Sequence, residues 1–155
     1  SGFLTFGNST LTNEQYTALI TKLMGIIRSS VSCSSTPPQS LLLRAIKDPA
    51  TNIQKNEYRN ILEERYKIVR NFCNTHKCSC LEPLPFNSGY FMSLRCNGVN
   101  AEELRQKLLH EYQVGTIAID DKTLRVAFSS LDKRDIDQTY EAVYKAAEEL
   151  KSASK

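Results

Sequence analysis

The spacing of apolar residues changes near Ser79, and this change limits the possible folds. Before Ser79, apolar residues recur every three or four positions, which is typical of amphipathic helices. This pattern predicts helices up to about Arg28, from Pro38 to Asp48, and over residues 50–75. After Ser79, alternating apolar residues predict strands at 89–96, 115–119 and 123–128. Capping residues followed by apolar stripes predict two further helices, after Asn100 and Asp132.

A further short strand is predicted at residues 3–6, so the order is strand, three helices, strand, helix, hairpin, helix. Helices that cover a small, largely antiparallel sheet define the fold class as α/β, in the form of an α+β two-layer sandwich. The chain begins without methionine and directly in a predicted strand, and we therefore expect a fragment. The predicted helix 50–75 would be nearly 40 Å long. This length favours a helix that extends toward another domain.

Composition excludes several classes of protein. The 155 residues carry a net charge of only +3, with both signs mixed along the helices, which argues against a nucleic-acid or membrane surface. No apolar run approaches the ~20 residues of a membrane span, and no basic segment typical of a signal peptide precedes residue 7. Five cysteines are an odd number, which favours free thiols and a cytoplasmic protein.

Four potential metal or redox ligands lie within eight residues, namely Cys73, His76, Cys78 and Cys80. Structural zinc sites usually contain two pairs of ligands at a regular spacing, and this spacing is different. Cys73 also belongs to the apolar stripe of a predicted helix. We therefore predict no metal site and interpret these cysteines as buried or idle thiols. His110 is interpreted as a solvated surface residue.

Several segments resemble, in the same order, the class I/II, fold-type I aminotransferases, which depend on pyridoxal phosphate. The similar segments are Gly2–Gly7, Ile27-Arg28 with the Ser-rich stretch up to Pro37-Pro38-Gln39, Asn87-Ser88-Gly89-Tyr90-Phe91, and Leu124-Arg125-Val126-Ala127-Phe128-Ser129. The resemblance implies that residues 2–150 are the C-terminal small domain of such an enzyme. Residues 2–7 would then be a remnant of the large domain, 50–75 a long connecting helix, and 151–155 a flexible tail.

The resemblance also implies a homodimeric enzyme that acts on an amino acid and a 2-oxo acid. The lysine that binds the cofactor would lie upstream of Gly2, together with the partners of the pyridine nitrogen and the phosphate. None of the eleven lysines has the setting of that lysine, and no Gly-rich phosphate loop is present. We therefore expect no cofactor in this fragment and no catalytic residue, so that the fragment alone is inactive.

Arg125 is the main candidate for substrate binding. In the predicted strand 123–128, alternation places Leu124, Val126 and Phe128 on the core side and Arg125 on the other side. A guanidinium matches a carboxylate at two points, and by resemblance that carboxylate is the substrate's α-carboxylate. The alternative is an ordinary surface arginine.

Two weaker candidates for substrate binding follow from the resemblance. In some relatives, a basic residue near the position of Arg28 contacts the substrate's distal carboxylate. The alternative is that Arg28 is simply a residue at a helix C-terminus, where the helix dipole favours a positive charge. Asn87, with Ser34 and Ser35, could add polar contacts near a neighbouring site, or these residues could simply belong to loops.

Two alternatives to an aminotransferase fragment stay open. One is a stand-alone α+β binding or interaction module without catalysis. The other is a lyase or decarboxylase on the same scaffold, because fold alone does not fix the reaction.

Overall fold

The computed structural model describes residues 3–87 and 89–153, which contain five α-helices and four β-strands. In chain order these elements are α1 (Asn13–Ser30), α2 (Thr36–Lys47), α3 (Pro49–Thr75), β1 (Leu81–Pro83), β2 (Met92–Cys96), α4 (Ala101–Glu111), β3 (Ile117–Asp120), β4 (Thr123–Val126) and α5 (Ile136–Ala153). The predicted fold class is confirmed. No helix among these residues is long and apolar enough to cross a membrane.

The four strands form one antiparallel sheet in the order β1-β2-β4-β3. The predicted hairpin joins β3 to β4, and Asp120 Oδ1 accepts a hydrogen bond from the Lys122 amide at 2.8 Å in its turn. The register between these strands shifts between Ala118 and Asp120, where β3 contains a bulge. Arg125 thus lies on an interior strand, with neighbours on both sides.

The chain divides into two compact units, Ser1–Gln54 and Lys55–Lys155. In the second unit, one face of the sheet packs with the C-terminal half of α3, with α4 and with α5. The core contains Val69, Phe72, Met92, Leu94, Leu104, Leu108, Leu124, Phe128, Ile136, Tyr140 and Val143, all at most 2% exposed. In the first unit, neither α1 nor α2 contains a buried residue.

Most predicted helix boundaries are close to the observed ones because their caps have clear sequence signals. Thr12 and Gln15 form the predicted capping box at the start of α1. Asn100 Oδ1 accepts hydrogen bonds from the amides of Glu102 and Glu103 at the start of α4. Asp132 is different, since it makes no side-chain cap and precedes a short 3₁₀ helix, Lys133–Asp135.

The predicted strand at residues 3–6 is wrong. These residues form no regular element, and Phe3 and Leu4 are 79% and 74% exposed. A strand needs a hydrogen-bonded neighbour, and the described strands pair only with one another, between Leu81 and Val126. Gly2 lies outside the described residues.

The sequence analysis missed β1 because Pro83 indicated a linker. In the structure β1 is an edge strand, where proline is tolerated because one side of the backbone needs no partner. The last predicted strand also ends early, at Val126, yet Phe128 is fully buried as the first residue of a 3₁₀ helix. At the C-terminus α5 continues to Ala153, so residues 151–153 of the expected flexible tail are helical, and residues 154–155 lie outside the described residues.

A polar contact joins α4 to α5 at Glu149. The Tyr112 hydroxyl donates to Glu149 Oε2 at 2.9 Å, and Lys107 Nζ lies 3.2 Å from the same oxygen. The hydrogen bond from Tyr112 and then that from Lys107 lower the pKa of Glu149 below its usual 4.5. Because the folded-state pKa is lowered, this carboxylate stabilises the fold above pH 4.5, and the contribution is lost as the pH falls through the folded-state pKa.

We expect Glu149→Gln to reduce the free energy of unfolding at neutral pH and to flatten its decline in acid. Thermal unfolding followed by circular dichroism, between neutral pH and about pH 3, measures both effects. Glu148→Gln is the matched control, because Glu148 is the exposed neighbour of Glu149 on α5. Equal acid profiles for the two variants would contradict a special role for Glu149.

Candidate substrate-binding site

Arg125 lies on the sheet face opposite the core. Its neighbours in β4 are buried, with Leu124 at 0% and Val126 at 2% exposure, whereas Arg125 itself is partly exposed. The residues directly across from Arg125 are Ser93 on β2 and Ile117 on β3. The predicted alternation is confirmed, and the side chain of Ser93 is too small to cover a guanidinium.

The guanidinium of Arg125 packs on an aromatic ring. Its Cζ atom lies 4.7 Å from the centroid of the Phe91 ring, within the range of a cation–π contact. Phe91 is itself 47% exposed. One face of the guanidinium therefore packs against an apolar ring.

The Arg125 side chain has unused hydrogen-bonding capacity. Its Nε atom is buried without a hydrogen-bond partner, and no ion pair involves Arg125 within residues 3–87 and 89–153. A buried donor without an acceptor costs about 1–3 kcal/mol. Thr116 Oγ1, next to the residue opposite Arg125, is also buried without a partner. A bound carboxylate can accept from Nε–H and a terminal N–H together.

The sequence analysis missed the contact between Phe91 and Arg125. Phe91 and Ser93 are two residues apart and share one face of an extended chain. Since Ser93 is opposite Arg125, Phe91 is a diagonal neighbour, close enough for a large ring. Alternation would have placed Phe91 on the correct face, but only the pairing of β2 with β4 shows which residue it meets.

Arg28 lies in the last turn of α1, where its Nη1 atom donates to Ser32 Oγ at 2.5 Å. Ser34 and Ser35 line a cavity of about 670 Å³ together with Phe3 and Pro38. All of these residues belong to the first unit. Their role in substrate binding stays a prediction.

Asn87 belongs to the second unit, where it lines a different cavity of about 670 Å³ with Arg70 and Lys77. Both cations of this cavity already have partners. Arg70 Nη1 donates to the Phe86 carbonyl at 3.0 Å, and Lys77 Nζ donates to the Cys73 carbonyl at 3.2 Å. A contact between Asn87 and a substrate stays a prediction as well.

The expectation of free thiols is wrong for two of the five cysteines, since Cys78 and Cys80 form a disulfide. The turn between α3 and β1 brings the two sulfurs together, which spacing alone did not reveal. Cys73 and Cys96 are free and buried, and burial raises the pKa of both thiols.

His76 stacks on Phe72, with 4.0 Å between ring centroids. No group of three or more metal-ligating side chains comes together within the part of the chain that the structure describes.

A sequence model of the family "Aminotransferase class I and II" matches residues 2–143. The chain therefore belongs to the class I and II aminotransferase family. The comparison with curated protein sequences found no match.

Solved aminotransferase structures have a similar fold. A multiple substrate aminotransferase from Thermococcus profundus has a TM-score of 0.76 at 12% identity, over 88% of this chain and 36% of that one. The α-aminoadipate aminotransferase of Thermus thermophilus has a TM-score of 0.73 at 16% identity, over 88% of this chain and 37% of that one. An aromatic aminotransferase from Pyrococcus horikoshii has a TM-score of 0.69 at 16% identity, over 84% and 36%. This chain thus spans a little over a third of the length of these structures.

Proposed function

We propose that this chain is the C-terminal part of a pyridoxal-phosphate-dependent aminotransferase, in which Arg125 binds the α-carboxylate of the amino-acid or 2-oxo-acid substrate. The observation that carries the proposal is the Arg125 side chain, held by Phe91 with a buried Nε–H that lacks an acceptor. We further propose that the full enzyme is a cytoplasmic homodimer.

Two features of the site suit this role. The guanidinium keeps its charge at any physiological pH and presents a planar pair of donors to a carboxylate. An interior strand with neighbours on both sides holds the backbone of Arg125 in place, and such preorganisation reduces the entropy lost when a substrate is oriented. The role of Arg125 is therefore to fix the position of the substrate, while bond breaking depends on groups outside this chain.

The lysines among the described residues do not fit a covalent cofactor site. Bound in a full enzyme, pyridoxal phosphate supplies the electron sink for chemistry at the substrate's α-carbon. The lysine that holds it must lose its proton readily, which burial or a nearby cation favours. No charged residue is buried among residues 3–87 and 89–153. The Glu111 and Glu149 carboxylates raise the pKa of Lys107, and Glu63 raises that of Lys67, which is the opposite direction.

The structure of the Thermus thermophilus aminotransferase contains N-(5'-phosphopyridoxyl)-L-leucine, an adduct of the cofactor with an amino acid. That protein therefore binds both groups in one site. This supports the proposal that the full enzyme, of which this chain would be about a third, acts on amino acids with the same cofactor.

The test of the proposal is cofactor trapping. We expect the 155-residue chain, incubated with pyridoxal phosphate and then borohydride, to give only scattered, substoichiometric labelling of lysines. A full-length protein that contains this sequence should give one labelled lysine, upstream of residue 2. Peptide mapping by mass spectrometry measures both results. One stoichiometric adduct within residues 3–153 would refute the proposal.

Phe91→Leu should weaken substrate binding by the full enzyme about two- to fivefold, because a cation–π contact at an exposed site contributes about 0.5–1 kcal/mol. Leucine keeps an apolar side chain but has no ring to hold the guanidinium. The Michaelis constant for the amino acid measures the change. Tyr90→Leu is the control, since Tyr90 is exposed to a similar extent (49%) and is not the ring under Arg125. Equal effects of the two variants would contradict a positioning role for Phe91.

A further inference from the structure

The disulfide of Cys78 and Cys80 lies in the turn that connects α3 to β1. We propose that it is a reversible redox site, at which a low-molecular-weight thiol such as glutathione attacks Sγ of Cys78. This inference is independent of the function proposed above. It rests on the exposure of the two cysteines, the contacts that hold the turn, and the contrast with the other cysteines.

The two sulfurs differ in their access to solvent. Cys78 is partly exposed, whereas Cys80 is fully buried. Cys78 also lines a depression of about 290 Å³, together with His76, Lys77 and Asn97. Thiol–disulfide exchange requires an incoming thiolate to reach one sulfur, and access decides which sulfur it attacks. The accessible sulfur is that of Cys78.

Reduction then proceeds in two balanced steps. The thiolate of the small molecule forms a bond to Cys78 Sγ, the bond between the two cysteines breaks, and its electron pair leaves with Cys80 Sγ, which takes up a proton. A second small thiolate attacks the small molecule's sulfur in the mixed disulfide, and Cys78 leaves as a thiolate that then takes up the second proton. The protein disulfide gains two electrons and two protons, and two small thiols become one small disulfide. The Cys80 amide, 3.3 Å from Cys78 Sγ, donates to the sulfur that carries charge in the second step.

The turn is held by contacts that do not need the disulfide. The Asn97 amide donates to the Cys80 carbonyl at 2.8 Å. Lys151 Nζ donates to the Ser79 carbonyl at 3.2 Å and to Ser79 Oγ at 3.1 Å. A disulfide that closes so short a loop also restricts the unfolded chain less than one that closes a long loop. Reduction should therefore leave the fold intact, as a reversible site requires.

The remaining cysteines are poorly suited to this chemistry. Cys73 and Cys96 are buried, and burial raises the pKa of both thiols, so little reactive thiolate is present. Cys33 is exposed but is far from the pair in sequence and is unpaired. In a reducing compartment, a disulfide that forms is usually transient and catalytic or redox-sensing. The Cys78–Cys80 pair would respond to the ratio of small thiol to small disulfide.

The experiment uses the 155-residue chain with Cys33→Ser, equilibrated in glutathione buffers of graded ratio, quenched with N-ethylmaleimide and digested with trypsin. Cleavage after Lys77 and Arg95 gives one peptide, residues 78–95, with both cysteines of the pair, while Cys73 and Cys96 fall in the peptides 71–77 and 96–105. We expect peptide 78–95 to be unlabelled in oxidising buffer, doubly labelled in reducing buffer, and unlabelled again after reoxidation. The thermal transition followed by circular dichroism should move by only a few degrees.

Three outcomes would overturn the proposal. Double labelling at every ratio would show that no disulfide forms, and no labelling at any ratio would show a purely structural disulfide. Loss of the thermal transition on reduction would show that the fold depends on the bond. Two variants test the order of attack: Cys80→Ser should capture oxidised glutathione at Cys78 about tenfold faster than Cys78→Ser captures it at Cys80. The reverse order would also count against the assignment, and the labelling of the unaltered pair stays decisive if either variant misfolds.

Discussion

Arg125→Ala should lower kcat/KM of the full-length enzyme for its amino-acid substrate by about 30- to 4,000-fold, which corresponds to about 2–5 kcal/mol for loss of one partner of a desolvated, hydrogen-bonded charge pair. Arg125→Lys should recover only a small part of this loss, because an ammonium group keeps the charge but lacks the two-point geometry. Steady-state kinetics with the amino acid measures both changes. An Arg125→Lys variant as active as the unaltered enzyme would contradict the bidentate role.

Arg95→Ala is the matched control for Arg125. Arg95 lies on β2 across from Thr123, two residues from the residue opposite Arg125, and therefore on the same sheet face. Its side chain is 56% exposed and lies 3.7 Å from Glu82, so its removal should change kcat/KM less than about twofold. A second control uses the amine that lacks the α-carboxylate. The preference of the enzyme for the amino acid over this amine should collapse in Arg125→Ala and persist in Arg95→Ala.

Leu104→Ala should reduce the free energy of unfolding of the 155-residue chain by about 2–5 kcal/mol, because Leu104 is fully buried and a cavity would replace its side chain. Leu109→Ala, on the same helix α4, removes a side chain that is 44% exposed and should change stability by about 0.5 kcal/mol or less. Urea unfolding followed by circular dichroism measures both values. Similar losses in the two variants would mean that α4 does not pack as the structure has it.

The sequence predicted which residues share a face more reliably than it predicted which residues meet. Alternation placed Leu124, Val126 and Phe128 in the core and Arg125 on the opposite face, and the burial of these residues confirms it. The contact between Phe91 and Arg125 was missed because it depends on the register of β2 against β4. Registers are fixed by the packing of the whole sheet, which no single segment encodes.

The sequence analysis also did not predict which residues approach each other within turns. Cys78 and Cys80 are separated by one residue, and because their spacing does not fit a zinc site the sequence analysis interpreted them as buried or idle thiols. The turn after α3 is not extended, and it brings the two sulfurs together. The same limit explains the wrong strand at residues 3–6. Its apolar residues match the strand pattern, but this pattern does not indicate whether a neighbouring strand is available to pair with it.

The apolar stripes of α1 and α2 show what periodicity leaves open. Their spacing correctly predicted helices, yet Ile20, Ile26, Leu41 and Ile46 are between 56% and 66% exposed. Amphipathic spacing identifies the face of a helix that favours burial, but it does not identify what covers that face. For α1 and α2, therefore, the sequence predicted the helices but not the exposure of their apolar faces.

The two edges of the sheet limit its growth by different means. Along β1, Pro83 has no amide proton to offer an additional strand. Along β3, the bulge between Ala118 and Asp120 breaks the even spacing of the backbone groups that an incoming strand would need. Strand-by-strand polymerisation, the usual hazard of an open antiparallel sheet, is thereby hindered at both edges of the four described strands.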